Sequence, residues 1–261
     1  MPILEVDHLG KTYGRGAGAV HAVGDVTFDV EPNEFVCVVG RSGGGKTTML
    51  KCLGGLLEPT QGEVRLRGRP VHGPPADLAI VFQDYGRSLM PWLTVRGNVL
   101  LPLRSKKSVS RTERRTLVDD SLAAVGLSHA VDRYPWQLSG GMQQRVAIAR
   151  ALAYQPAVLL MDEPFASVDA QTRGELEDLI LRVRDEFGVT IVFVTHDIDE
   201  SIYLGDRVIA LAGTPSTVGD IIAVDLPHER DQVATKALPQ FAELRARVFH
   251  AIRAAPAAVT V

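Results

Sequence analysis

At 261 residues, 46% hydrophobic and 23% charged, the chain has the length for one large domain or a domain carrying a subdomain around a full hydrophobic core. A formal net charge of −3 leaves no electrostatic footprint for nucleic acid. No apolar run approaches the roughly 18–20 residues of a membrane helix, and the start Met1-Pro2-Ile3-Leu4 has neither the basic flank nor the apolar core of a signal peptide. The expectation is a cytosolic chain whose membrane role comes through a partner.

Residues 3–8 and 20–30 alternate apolar and polar positions and predict strands. The glycine-rich connection from Lys11 to Gly18 carries one aromatic, Tyr13. Alone, Tyr13 reads as a turn or core tyrosine; shortly ahead of a phosphate-binding loop, an exposed ring reads as a stacking surface for a nucleotide base. Glu34 to Val39 is β-rich and short enough for a buried strand. It runs straight into Gly40-Arg41-Ser42-Gly43-Gly44-Gly45-Lys46-Thr47, and Lys46 to Leu53 predicts a helix. That strand–loop–helix context completes the G-x-x-x-x-G-K-[ST] pattern. The glycines let successive N–H groups point inward at the positive end of the helix dipole. Lys46 then lies between β- and γ-phosphates, and the Thr47 hydroxyl is a ligand for Mg²⁺. A nucleoside triphosphate is the expected ligand. Cys37 and Cys52 flank the loop without metal or redox spacing and read as small buried hydrophobes.

Pro59 to Glu63 predicts a turn, Glu63 to Arg67 a strand, and Leu78 to Phe82 a strand ending at Gln83. An amide there is either a strand terminus or a ligand at the carboxyl edge of a parallel sheet, where α/β proteins bind their ligands. Leu89-Met90-Pro91-Trp92-Leu93-Thr94-Val95 is a proline-interrupted apolar loop, read equally as a core plug or a contact for another protein. From about 104 to 153 the pattern turns helical. Ser110 to Glu113 is a capping box opening a helix with Leu117, Leu122 and Val125 on its apolar face, ended by Gly126. Ser139-Gly140-Gly141-Met142 opens another, with Ser139 as N-cap. Two glycines there expose N–H groups at a helix start, a second anion site in one chain.

Val158 to Glu163 is a buried strand ending in two carboxylates, which must emerge at its carboxyl edge. Asp162 is suited to hold Mg²⁺ through its water shell, and Glu163 to deprotonate an attacking water. Phe165 to Asp169 is a loop before a helix from about 171 to 187, followed by a strand over Val189 to Val194 that ends at His196. That ring is suited to donate to a γ-phosphate. Asp197 and Glu200 cap the next helix. Arg207 to Leu211 and Asp220 to Val224 predict strands around a loop from Gly213 to Gly219. Pro239 to Arg253 predicts an amphipathic helix with Phe241, Leu244, Val248 and Ile252 on one face, read as packing on the domain. Ala254 to Val261 is expected to fray.

With Ser139-Gly140-Gly141-Met142 standing between the phosphate loop and Asp162-Glu163, six motifs fall in the order of an ATP-binding cassette ATPase subunit, and the chain resembles that family from about residue 3 to 230. The resemblance implies an α/β P-loop NTPase fold. A RecA-like core over 1–93 and 154–230 would carry an antiparallel β subdomain, with a helical subdomain inserted at about 94–153 and a C-terminal helix and tail at 231–261. It implies ATP, gripped by Gly40 through Thr48, with Tyr13 stacking on adenine. Mg²⁺ would be served by Thr47 and Asp162, and Gln83 would contact Mg²⁺ or the attacking water and report to the membrane partner. Glu163 would be the base, His196 the switch histidine, and Asp169 part of the loop crossing a dimer interface. Ser139 and Gly141 would bind the γ-phosphate held by the opposite subunit.

Val71 to Asp77, Val81-Phe82-Gln83, Met90 to Val95, Tyr134 to Leu138, Met161 to Phe165, Asp169 to Thr172 and Thr195 to Glu200 resemble the nitrate/sulfonate/taurine importer branch. Asn33 stands where that branch has a turn glycine, Gly44 where it has cysteine, and Ser167-Val168 where it has alanine-leucine. Two anion sites cannot share one ATP within one chain, so a head-to-tail homodimer is expected. The resemblance also implies transmembrane permease subunits docking near Gln83 to Leu93, a solute-binding protein indirectly, and a peripheral place on the cytoplasmic face of the membrane. No nucleic-acid partner is expected. The rival is a soluble cassette ATPase acting as a mechanical switch on a cytosolic complex or nucleic acid. A small-molecule kinase would leave Ser139-Gly140-Gly141 unexplained.

Overall fold

The computed structural model describes residues 1–253, so the expected fraying of Ala254 to Val261 lies outside the described residues. In chain order the elements begin β1 (Leu4–Tyr13), β2 (Val20–Val30), β3 (Phe35–Val39), α1 (Lys46–Leu53), β4 (Gln61–Leu66) and β5 (Arg69–Pro70). There follow β6 (Leu78–Val81), α2 (Tyr85–Ser88), α3 (Val95–Leu100), α4 (Arg111–Ala124), α5 (Gly140–Ala153), β7 (Val158–Asp162) and α6 (Ala170–Phe187). The chain closes with β8 (Thr190–Thr195), α7 (Ile198–Leu204), β9 (Arg207–Ala212), β10 (Ser216–Ala223) and α8 (Pro239–Arg253). Two compact units emerge, one from Met1–Ala76 with the chain from Thr190 onward, the other from Asp77–Val189.

In the first unit the strand order is β5-β4-β1-β2-β10-β9-β3-β8. The β5-β4-β1-β2 side is antiparallel, while β3 runs parallel to both β8 and β9. Every residue of β3 is buried, as expected of a parallel strand covered on both faces. α1 buries Met49, Leu50 and Leu53, each contributing about 1.5–3 kcal/mol by leaving water. Cys37 and Cys52 are buried free thiols, and burial pushes the Cys52 thiol up. Asn33 sits at φ 64, in the left-handed region that asparagine tolerates better than other side chains. α8 packs on β9, β10 and α7 and buries Phe241, Val248 and Ile252, with Ala251 joining them and Leu244 only half-buried. Its packing role therefore holds.

Two boundaries differ from expectation. β1 extends to Tyr13, paired with Val20, so the glycine connection is shorter than read. β10 starts at Ser216 rather than Asp220, because Thr217 pairs with Ala212 and Val218 with Leu211, which narrows the loop to Gly213 through Pro215.

In the second unit β6 and β7 are parallel. α4 has the expected capping box, closed both ways between Ser110 and Glu113. Its buried face is Val118 and Leu122, with Leu117 only half-buried. The sequence pattern does not assign the short helix α2, while α3 falls within the stretch expected to be helical, its first residue Val95 also ending the apolar loop. Asp84 and Thr94 cap them, accepting from the Arg87 and Gly97 N–H groups. The fully buried Asn98 knits the apolar loop before α3. Its Oδ1 accepts from Met90 N at 2.7 Å, and its Nδ2 donates to the carbonyls of Met90, Leu93 and Thr94, each at 3.1 Å.

Candidate nucleotide-binding site

β3 delivers the chain into the loop at Gly40, and α1 begins at Lys46. Gly43 and Gly45 lie at φ 76 and 79, a conformation open to glycine at little cost. A Cβ on Gly45 would stand 2.1 Å from the Ala22 carbonyl oxygen, so no other residue fits there. The loop is closed by Gly44 N donating to Arg41 O at 3.0 Å. Lys46, 4% exposed, folds back over it and donates to Gly40 O at 2.9 Å and Arg41 O at 3.1 Å. Arg41, Ser42, Gly43 and Thr47 face solvent, and Thr48 is half-buried. The Tyr13 ring is 41% exposed, its hydroxyl 3.4 Å from Thr48 Oγ1 and Lys11 Nζ 5.6 Å from the ring centre. It is available for stacking rather than buried as a core tyrosine.

Strand register brings His196 to this edge. Val39 pairs with Thr195 between parallel strands, so the phosphate loop and His196 leave neighbouring strands at the same carboxyl end. His196 is exposed. Behind it, the Thr195 hydroxyl donates to buried Glu200, and Asp197 caps α7 by accepting from the N–H groups of Asp199 and Glu200. Sequence reading missed the tie from α8: Arg245 grips Asp199 with Nε at 2.5 Å and Nη2 at 2.7 Å.

The second unit repeats the device. Val81 pairs with Met161, so Gln83 and the Asp162-Glu163 pair leave adjacent parallel strands at one edge. Gln83 is exposed, Asp162 is buried at 3% exposure, and Glu163 is half-buried at φ 42. The expectation that both carboxylates emerge therefore needs correction, since Asp162 remains inside. Ser139 caps α5, accepting from Met142 N at 3.3 Å, with Ser139 and Gly140 exposed and Gly141 buried. Asp169 ends the loop, as expected from sequence, and caps α6. It accepts from Thr172 N at 3.0 Å and from the Thr172 hydroxyl at 2.7 Å, and that hydroxyl holds its carboxyl below the usual carboxylate range.

A Cβ on Gly141 would stand 2.5 Å from Thr172 Cγ2. The Thr172 side chain is itself fixed by Asp169, so it cannot swing aside without loosening that cap. Gly141→Ala is expected to destabilise the chain by about 1–3 kcal/mol, as overpacking does. Thr172→Ser, which keeps the hydroxyl and removes Cγ2, is expected to restore most of the loss. Thermal melts of the single and double variants check this, and additive losses would sink the contact.

Within the first unit the exposed Thr47 hydroxyl, and within the second the exposed Gln83 amide and the buried Asp162 carboxylate, are oxygen donors, the donor type that suits Mg²⁺. Among the described residues no cluster of three or more His, Cys, Asp or Glu could hold a metal.

A strand, phosphate loop and helix beside parallel strands define a nucleotide-binding α/β protein of the P-loop class. The family profile described as ABC transporter matches residues 23–166. The chain is 42% identical over 244 residues to the nitrate import ATP-binding protein NrtD of Synechococcus elongatus, covering 93% of this chain and 88% of NrtD. It is 44% identical over 245 residues to NrtC of the same organism, again 93% of this chain but only 37% of NrtC. The dimeric post-hydrolysis structure of the ATP-binding cassette MJ0796 bound to ADP and Pi superposes with a TM-score of 0.73 at 34% identity, covering 85% of this chain and 98% of that one. The chain belongs to the ABC transporter family and is an ATPase domain of it, with ATP as its nucleotide. Among the described residues no helix is long and apolar enough to cross a membrane.

Proposed function

We propose that the chain is the ATP-hydrolysing subunit of an importer for a small anion of the nitrate kind, at the cytoplasmic face of the membrane. The observation that carries the reading is the paired strand register, which sends the phosphate loop out beside His196 and Gln83 out beside Asp162-Glu163. The relatives named for nitrate import support the solute class. Residues 94–153 act as the helical subdomain and 231–261 as a C-terminal helix and tail.

In the mechanism, loop N–H groups from Gly40 to Thr48 and the Lys46 ammonium hold the phosphates, and Tyr13 stacks on adenine. Thr47, Gln83 and Asp162 would hold Mg²⁺, which supplies charge neutralisation at the β- and γ-phosphates. Glu163 takes a proton from the attacking water as its oxygen bonds to the γ-phosphorus. The bond to the bridging oxygen breaks, giving ADP and phosphate, while His196 donates a hydrogen bond to the transferred group. Ser139, Gly140 and Gly141 of a second copy grip the same γ-phosphate, and Asp169 lies in the loop at that interface. ATP then closes a head-to-tail homodimer that hydrolysis reopens.

The permease docks on the loop held by Asn98. Trp92 is 71% exposed there, on a backbone fixed by four hydrogen bonds to one buried amide. A large apolar ring presented on an ordered loop marks a contact surface. Leu89 beside it is buried, so the segment is both a plug and a contact. Trp92→Ala is expected to abolish co-purification with the permease while leaving the melting temperature within about 2 °C, as surface substitutions do. Unfolding of the variant would make Trp92 structural instead. Stable association only with nucleic acid would favour the soluble switch.

A further inference from the structure

Outside the machinery above, the second unit has a cavity of about 580 Å³ whose walls carry five arginines: Arg96, Arg104, Arg111, Arg114 and Arg115. They converge from α3, from the short turn Pro102–Arg104 and from the first turns of α4. Asp119 answers only part of this charge. Arg96 Nη1 bonds it, and Arg115 Nε lies 3.9 Å away. Glu113 is engaged on the Ser110 backbone N–H at 2.7 Å. Arg114 Nη2 donates to Lys106 O at 3.0 Å and leaves its buried Nε without a partner. Among the described residues, the side chains of Arg104 and Arg111 make no hydrogen bond or ion pair.

This arrangement works against local stability. Gathered guanidinium groups repel one another. Arg111, Arg114 and Arg115 also lie in the first turns of α4, where the helix dipole is positive and disfavours cations. Local rules broken without compensation mark a place held for a ligand. Rigid guanidinium forks match phosphate oxygens two at a time. Leu100 and Val118 are the apolar lining, too little to anchor a peptide helix, which docks through a row of apolar side chains.

We propose that this cavity is a second anion site, binding a phosphorylated polyanion independently of the ATP site. Its occupant bridges α3, the Pro102–Arg104 turn and the start of α4. The phosphates come from a free oligophosphate or from an anionic lipid headgroup.

The test uses the full chain carrying Lys46→Ala, which weakens the phosphate loop, titrated calorimetrically with inorganic pyrophosphate and sedimented with phosphatidylglycerol or phosphatidylcholine vesicles. Pyrophosphate binding that weakens at least about tenfold with Arg104→Ala and Arg111→Ala together, and fades with salt, supports a free ligand. Sedimentation with phosphatidylglycerol alone, lost in the same double variant, supports a headgroup. Thermal melts confirm folding, and Arg104→Lys with Arg111→Lys, which keeps the charge without the fork, is expected to recover only part of the binding. Neither pyrophosphate nor vesicle binding, or binding indifferent to both substitutions, overturns the proposal. So does a double variant that loses the permease while titrating pyrophosphate unchanged, since the cavity is then a protein-docking face. These binding readouts do not depend on hydrolysis, so they can fail while the ATPase reading stands.

Discussion

Glu163→Gln is expected to stop turnover while nucleotide still binds. The amide matches the carboxylate in size and leaves the buried strand β7 untouched, so the fold is preserved. It cannot accept the proton of an attacking water, and a positioned base supplies about 10²–10⁴ of the rate. Glu163 sits at φ 42, a region that costs a side-chain-bearing residue of order 1–3 kcal/mol and tends to persist where a side chain must be aimed. Because the γ-phosphate is not removed, the variant is expected to accumulate as an ATP-dependent dimer on gel filtration, where the unaltered chain cycles between states. Phosphate release measured beside the elution profile separates the two effects. Turnover at the unaltered rate would take Glu163 out of the role of base, and loss of turnover with no ATP-dependent dimer would remove the sandwich.

What the sequence could and could not show follows the range of the interactions involved. β3, the phosphate loop and α1 were legible because each signal is contiguous: a β-rich run, fixed glycines, then a helix starting at Lys46. The capping box of α4 and the Ser139 cap of α5 are equally local. His196 beside the phosphate loop was only half legible. Its strand end was visible, but its neighbour is set by Val39 pairing with Thr195, a contact between remote segments. The start of β10 was misread because Gly213 to Gly219 has turn composition, whereas pairing with β9 carries the strand through it, as tertiary context overrides propensity. Asp169 was rightly placed at the end of the loop before α6, but its cap depends on Thr172 folding back to meet it, which composition does not show. The arginine cavity was invisible for a related reason. Charges scattered from Arg96 to Arg115 form no contiguous signal, and they meet only when α3 and α4 bring them to one wall.

Lys46→Ala is expected to weaken ATP binding about 10–100-fold, the loss of one hydrogen bond between charged groups at about 1.5–3 kcal/mol. The ammonium is buried and spans its own loop, donating to Gly40 O and Arg41 O. It is therefore expected to act twice, as a brace that keeps those carbonyls turned in and as the positive charge that meets the phosphates. The two roles are separable. If the brace dominates, Lys46→Ala lowers the melting temperature without nucleotide as well as the affinity. If the charge dominates, the nucleotide-free melt is nearly unchanged and only the stabilisation added by ATP is lost. The close fit of the loop argues for the second: Gly44 N already closes it on Arg41 O, and Gly45 is pinned against Ala22 O, so the curl persists without the ammonium. Lys46→Arg is the sharper variant, since it keeps the charge but brings a wide planar fork into a space shaped for a point charge. It is expected to bind ATP nearly as poorly as the alanine variant in a fluorescent-nucleotide titration. Affinity unchanged in both would mean that the loop does not hold the phosphates.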